Sequence, residues 1–210
     1  MNYQVLHDQG RIMCYIGNTL PNQMYHNHYS KHRPSELLRF EEVLEKDSSW
    51  FQERQFMVAN TDVSFRRQVV EGLAKFSPHY FSLVSNNTTV GVDTKIGHNV
   101  VINDFNFLWD NVVIGDHCTI TTHCTISHGT VIGNFCFIAP YSYICFTTLG
   151  QGVIVGLRSS FIAKPDALVQ VADWTNFVMD SRVNMSIVKS GTYRGHKLIA
   201  QETSLDKKIL

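Results

Sequence analysis

Along the second half of the chain an aliphatic side chain stands at every sixth position: Val90, Ile96, Ile102, Leu108, Ile114, Ile120, Ile126, Ile132, Ile138 and Ile144. A period of six is neither the 3.6 of an amphipathic helix nor the 2 of a half-buried strand. It fits flat strands of a few residues joined by tight turns, each sending one large aliphatic inward, with three strands closing a coil. Two positions before each aliphatic the side chain is small or β-branched, as at Thr94, Val100, Cys118, Cys124, Cys136 and Ser142. A second inward position in a narrow prism requires this. Glycine follows the aliphatic at 91, 97, 115 and 133, which assigns the unusual backbone angles of the corners to glycine. One five-residue step leads to Leu149, Val155 and Phe161, again with Gly150 and Gly156 behind them. An irregular stretch, 164–170, contains Pro165, after which Val171, Phe177 and Val183 resume the period. The pattern predicts a parallel β-helix over residues 88–188.

The first third reads differently. Residues 11–16, RIMCYI, predict a strand. Residues 35–55 follow Pro34 and carry Leu37, Leu38, Phe40, Val43 and Leu44 as an apolar stripe, which predicts a helix. Residues 56–59 predict a second strand, Asp62 a cap for a helix bearing Val63, Phe65, Val69 and Leu73, and residues 80–84 a third strand. Alternating strands and helices make a small parallel α/β unit. The expected organisation is an α/β substrate domain at 1–86, the β-helix at 87–190 and a tail at 191–210. His26, His28 and His32 read as a loop cluster without a standard zinc spacing.

Composition narrows the possibilities. Of 210 residues 44% are hydrophobic, which is enough for a core and excludes a disordered chain. Eighteen basic residues balance 18 acidic ones, so the chain lacks the cationic excess of a general nucleic-acid binder. No apolar run has the length of a membrane span, and the first residues lack the apolar stretch of a secretory signal, so a cytoplasmic location is expected. The five cysteines contain no CxxC, which argues against a zinc ribbon and against a disulfide framework. A solenoid this short leaves flat faces that call for partners.

The segments IGHNVVI, VIGDHCTI and ISHGTVIGNFCFIAP, with the closing SGTYRG, resemble the left-handed β-helix sugar acyltransferases related to sialic-acid O-acetyltransferase and to the N-acetyltransferases of nucleotide-linked amino sugars. The resemblance implies a left-handed hexapeptide β-helix behind a small, truncated Rossmann-like domain. It also implies a homotrimer with active sites between subunits, acetyl-CoA as acyl donor and no metal. Relatives carry a Gly-rich phosphate turn after the first strand, and this chain has no GxGxxG. Asn18 and Asn60 fall where relatives place the nucleotide, with turn residues as the alternative reading.

Acyl transfer from a thioester needs a base for the nucleophile's proton, and histidine suits that role. His128, in ISHGTVIG, matches the family segment that carries this base, although Gly129 stands where many relatives have an acidic residue. Asp110 lies 18 residues earlier, at the equivalent position of the adjacent coil, about 4.8 Å away by the usual strand spacing. It is expected to orient His128, the alternative being a solvated turn residue. His123 is expected to bind substrate or to pack on Tyr141; His98 and His117 read as surface residues. The resemblance places the pantetheine arm along Gly150, Gly156 and Leu157. Arg158, Lys164, Lys189 and Arg194 are available to the CoA phosphates. Cys124 and Cys136 fall on inward positions, which disfavours a cysteine nucleophile.

Together these point to an acetyl-CoA-dependent N-acetyltransferase acting on a nucleotide-linked amino sugar for surface polysaccharide. The alternatives are a sugar O-acetyltransferase, a γ-type zinc carbonic anhydrase using His123 and His128, and a non-catalytic trimeric scaffold.

Overall fold

The computed structural model describes residues 3–17 and 19–201. Four parallel strands form the N-terminal sheet: β2 (Ile12–Ile16), β3 (Ser35–Leu38), β4 (Arg54–Met57) and β5 (His79–Tyr80), in the order β3-β2-β4-β5. Helix α1 (Leu20–Tyr29) follows β2, α2 (Phe40–Leu44) and α3 (Ser48–Gln52) follow β3, and α4 (Val63–Leu73) follows β4. Asp62 caps α4 as expected, its carboxylate accepting the N–H of Phe65 at 3.0 Å.

The single helix expected over 35–55 is instead a strand and two one-turn helices. The Arg39 N–H donates to Glu42 (2.7 Å) and the Trp50 N–H to Asp47 (2.9 Å), so each turn has its own start signal. Residues 35–38 are drawn into the sheet by parallel pairing with β2. His26 and His28 lie on α1, with His32 just beyond its end, rather than in a loop.

The prism begins earlier than its repeat. Strand β6 (Ser82–Ser85) pairs in parallel with Val101–Ile102 and opens the longest face, which continues through Thr119–Ile120, Phe137–Ile138, Ile154–Val155, Asn176–Phe177 and Thr192–Arg194. An N-terminal strand that the pattern did not signal, β1 (Tyr3–Leu6), pairs antiparallel with β6, and Lys197–Ala200 pairs antiparallel with Thr192–Arg194 at the other end. The second face runs from Thr89–Val90 to Arg182–Val183, and the third from Lys95–Ile96 to Val169–Val171. Coils advance by 18 residues (Phe107↔Thr125↔Tyr143), then 17 (Tyr143↔Ser160), then 22 (Ser160↔Arg182). The short and long coils are the two slips seen in the repeat. The molecule is a left-handed parallel β-helix behind a small Rossmann-like unit.

From Ile102 to Val183 the every-sixth aliphatic and aromatic residues fill the prism, as do Cys118, Cys124 and Cys136. Only Val90 and Ile96, at the open first coil, are not fully enclosed. The positive-φ position of each turn lies three residues after the aliphatic, on ordinary side chains: Phe105, Asn111, His117, His123, Phe135 and Tyr141. Glycine directly after the aliphatic answers a different need. A Cβ on Gly91 would lie 2.4 Å from the Asp110 nitrogen, and one on Gly97 would lie 2.4 Å from Asp116 Oδ1. These glycines make room for the next coil's turn side chain.

The two units share a core. Tyr3, Tyr15, Tyr25, Met57 and Phe81 pack with Leu83 and Val101 of the first face. Arg66 of α4, fully buried, crosses the junction and donates to Asn60 O, Thr119 Oγ1 (3.0 Å), Phe135 O (3.0 Å) and Cys136 O (3.1 Å).

Candidate active site

His128 projects from the corner after Thr125–Ile126, beside the fully packed Ile126. Its ring is exposed and rests on Trp109 of the preceding coil, centroids 4.2 Å apart, with Phe146 of the following coil at 6.2 Å. Gly129 is required twice over: its φ is +60°, and a Cβ there would lie 2.7 Å from the Phe146 ring. That contact explains why no acidic side chain follows His128.

Asp110 occupies the coil-equivalent position but faces the other way. Its Oδ1 accepts the N–H of Val92 at 2.7 Å, and among the described residues no ion pair joins it to His128. The same device recurs at Asp116 to His98 N (2.7 Å), Asn134 to Asp116 N (2.9 Å) and Asp173 to Gln151 N (2.8 Å). Each short side chain satisfies a turn donor of the preceding coil, so Asp110 belongs to a structural ladder. The ring packed against His128 from the preceding coil is that of Trp109.

His123 sits at φ +59° between Phe105 (5.0 Å) and Tyr141 (4.9 Å), forming an exposed aromatic column along another prism edge. His117 is mostly enclosed, against the surface reading. Its ring stacks on Phe135 at 4.6 Å and its Nδ1 bonds the Asn99 amide at 3.0 Å; burial lowers its pKa to about 4. It lines a polar hollow of about 430 Å³ with His7, His79 and His98. Among the described residues no group of three or more His, Cys, Asp or Glu is arranged to hold a metal.

The stretch expected to meet CoA is occupied in part. The N–H groups of Gly150 and Gly156 donate to Val171 O and Phe177 O, both at 2.9 Å, so they belong to the coil ladder. The Leu157 carbonyl accepts from Asp180 N. Arg158 forms a two-pronged pair with Asp180 (2.9 and 3.0 Å), both exposed. Lys164, exposed on the loop that lengthens the 22-residue coil, has no ion-pair partner among the described residues and is bridged through its backbone to Ala167.

A cavity of about 240 Å³ lies where α1 and the end of β4 meet the first face. Pro21, Met24, Ala59 and Val101 give it apolar walls, and Thr61, Asn103, Asp104 and Thr122 line it with polar groups. Asn60 borders it, but its Oδ1 accepts the Asp62 N–H (2.9 Å), which makes it a turn residue as well. Asn18 lies outside the described residues. The buried Asn22 plugs the sheet's carboxyl edge, donating to Ile16 O (2.6 Å) and Gly17 O (3.0 Å) and accepting from Ala59 N (3.0 Å). Apart from Asn60, the cavity's residues were missed by sequence reasoning because they come from five separate segments that carry no shared motif.

Residues 93–128 match the bacterial transferase hexapeptide model of six repeats. No curated protein matches the chain. Among solved structures it is similar to WeeI from Acinetobacter baumannii AYE, at 15% identity, a TM-score of 0.77 and coverage of 90% of this chain and 99% of the other. It is also similar to the acetyltransferase domain of PglB from Neisseria gonorrhoeae FA1090, at 15% identity, a TM-score of 0.60 and coverage of 87% and 95%. A third is PerB from Caulobacter crescentus, solved with CoA and GDP-perosamine, at 16% identity, a TM-score of 0.55 and coverage of 86% and 90%. At these identities the likeness establishes the fold.

Proposed function

We propose that this chain is an acetyl-CoA-dependent sugar acetyltransferase. It works as a cytoplasmic homotrimer that acetylates the amine of a nucleotide-linked amino sugar for surface polysaccharide. His128 is the general base, and the site lies between neighbouring subunits. The amine nitrogen attacks the thioester carbonyl while the imidazole takes its proton. A tetrahedral oxyanion forms, and collapse expels the CoA thiolate, which recovers the proton from the imidazolium.

The observation that carries this reading is His128 itself: an exposed imidazole, held by Trp109, beside a sheet face whose Phe107, Trp109 and Tyr143 are uncovered. Such a face suits a second copy of the chain, and the seam would set His128 against the neighbour. Direct transfer is favoured over an acyl-enzyme because Cys118, Cys124 and Cys136 face the prism interior and Cys14 and Cys145 are buried as well. Burial raises the Cys124 thiol to about 11, and that of Cys136 well above its ordinary range. The similar structures solved with CoA and GDP-perosamine support both the donor and the class of acceptor. A sugar O-acetyltransferase is the second reading, favoured by one observation: among the described residues no Lys or Arg lines the 240 Å³ cavity.

The test is thiol release from acetyl-CoA over a panel of amino-sugar nucleotides and free sugars. His128→Asn should lower turnover by about 10²- to 10⁴-fold with the fold retained. Wild-type turnover in that variant would remove His128 from the mechanism.

A further inference from the structure

The cavity between α1 and the first prism face has a definite polarity. Among the described residues its only charged lining residue is Asp104. One carboxylate oxygen, Oδ1, is taken by the Ser85 hydroxyl and by the Asn87 amide at 3.2 Å, which fixes the side chain. Among the described residues the second oxygen has no hydrogen-bond partner. Beside it, the Asn103 carbonyl oxygen accepts from the hydroxyls of Tyr3 (3.0 Å) and Tyr25 (2.7 Å), which leaves the Asn103 amide N–H₂ as an oriented donor. The nearest buried cation, Arg66, has its terminal nitrogens bound to Asn60 O, Thr119, Phe135 O and Cys136 O behind the cavity wall.

We infer that this cavity binds the amine-bearing, unphosphorylated sugar ring of the acceptor, with the free oxygen of Asp104 selecting a protonated amine, which gives up its extra proton to solvent before the neutral amine attacks. The inference deepens the acetyltransferase reading and rests on it for the word acceptor; binding itself does not. A volume of about 240 Å³ accommodates one hexose ring and little more. The apolar walls of Pro21, Met24, Ala59 and Val101 suit the C–H face of such a ring. Asn103, Thr61 and Thr122 suit its hydroxyls. A phosphate would meet a carboxylate and no compensating cation, so any nucleotide diphosphate must lie outside the cavity. Asp104 is thus a specificity-determining residue: it distinguishes an amine from the neutral amide made from it, and so favours release of acetylated product.

The experiment measures, by calorimetry on the intact protein, binding of methyl glycosides of 2-, 3- and 4-amino hexoses. Their N-acetylated forms and uridine diphosphate are measured in parallel. At least one amine should bind tenfold or more tighter than its N-acetyl form. Asp104→Asn should abolish that preference, and Asp104→Glu should keep part of it. Equal binding of amine and amide across the panel overturns the inference, as does a preference that survives in Asp104→Asn. So does uridine diphosphate that competes with the amine. Thiol release is followed on the same samples. Turnover without an Asp104-dependent amine preference sinks this inference and leaves the acetyltransferase reading intact; the preference without turnover does the reverse.

Discussion

Asp110 reaches back one coil: its Oδ1 accepts the N–H of Val92 at 2.7 Å, across a glycine, Gly91, whose Cβ would lie 2.5 Å from that same oxygen. The pair explains the recurrent glycine and the recurrent Asp or Asn as two halves of one contact. An Asn at 110 keeps the acceptor oxygen. Asp110→Asn is therefore expected to retain wild-type turnover and a urea midpoint within experimental error, whereas Asp110→Ala should lose about 1 kcal/mol. A large fall in turnover for Asp110→Asn would return Asp110 to the chemistry.

The same geometry makes Gly115 intolerant. A Cβ there would stand 2.4 Å from Asn134 Oδ1 and 2.9 Å from the Asn134 nitrogen. Gly115→Ala should cost about 1–3 kcal/mol by urea unfolding, and pairing it with Asn134→Gly should recover part of the loss.

Arg66 joins the helical unit to the prism through three acceptors there, Thr119, Phe135 O and Cys136 O, with Asn60 O as a fourth in its own unit, and it is fully buried. Burial lowers its pKa to about 10, so it remains charged at neutral pH. Arg66→Met leaves three carbonyl oxygens and Thr119 without their donor. It should destabilise by more than about 3 kcal/mol, read as a lower melting temperature. A loss under about 1 kcal/mol would mean that water replaces the guanidinium.

His117 gives a pH signature. Its imidazole is held neutral by burial, with a pKa of about 4 against an ordinary value near 6.5. The folded state therefore binds fewer protons than the unfolded state between those values, so stability rises with pH across the window. The contribution is complete above about 6.5 and is lost as pH falls through about 4, amounting to at most about 3 kcal/mol. Urea midpoints measured from pH 7 to 4 should fall less steeply in His117→Gln than in the wild type.

The uncovered face offers a separate check. Phe107 and Tyr143 flank Thr125 in register and are each more than a third exposed. If copies of the chain meet there, the double variant Phe107→Lys with Tyr143→Lys should elute as a monomer by light scattering and lose turnover. A wild-type monomer, or an unchanged oligomer in the variant, would move the interface elsewhere.

The prism was legible because its constraint repeats: from Val90 to Ile144 each every-sixth inward site carries an aliphatic residue, so ten consecutive positions carry the signal. Its corners were not. Positive φ falls on Phe105 and Tyr141, residues with no preference for it, on either side of His123, and is imposed by the coil ladder and by ring stacking along the edge. The stretch 35–55 misled because Leu37 and Leu38 belong to a strand while Phe40 and Val43 belong to a one-turn helix, and together they mimic one amphipathic period. Arg66 was invisible for a simpler reason. A basic residue between Phe65 and Val69 reads as the wet side of a helix until a second unit is placed against it. His128 could be read from its segment, whereas its support by Trp109 depends on which neighbour wins the space between coils.

The reversed strands at the two ends of the long face, β1 on β6 and Lys197–Ala200 on Thr192–Arg194, carry a consequence for growth. A parallel stack that ended on a parallel rung would template another copy in the same direction, as fibrils do. With polarity inverted at both edges, a rung arriving in the direction of the coils meets an antiparallel strand, so among the described residues the coil's own parallel ladder does not continue past either end of this face.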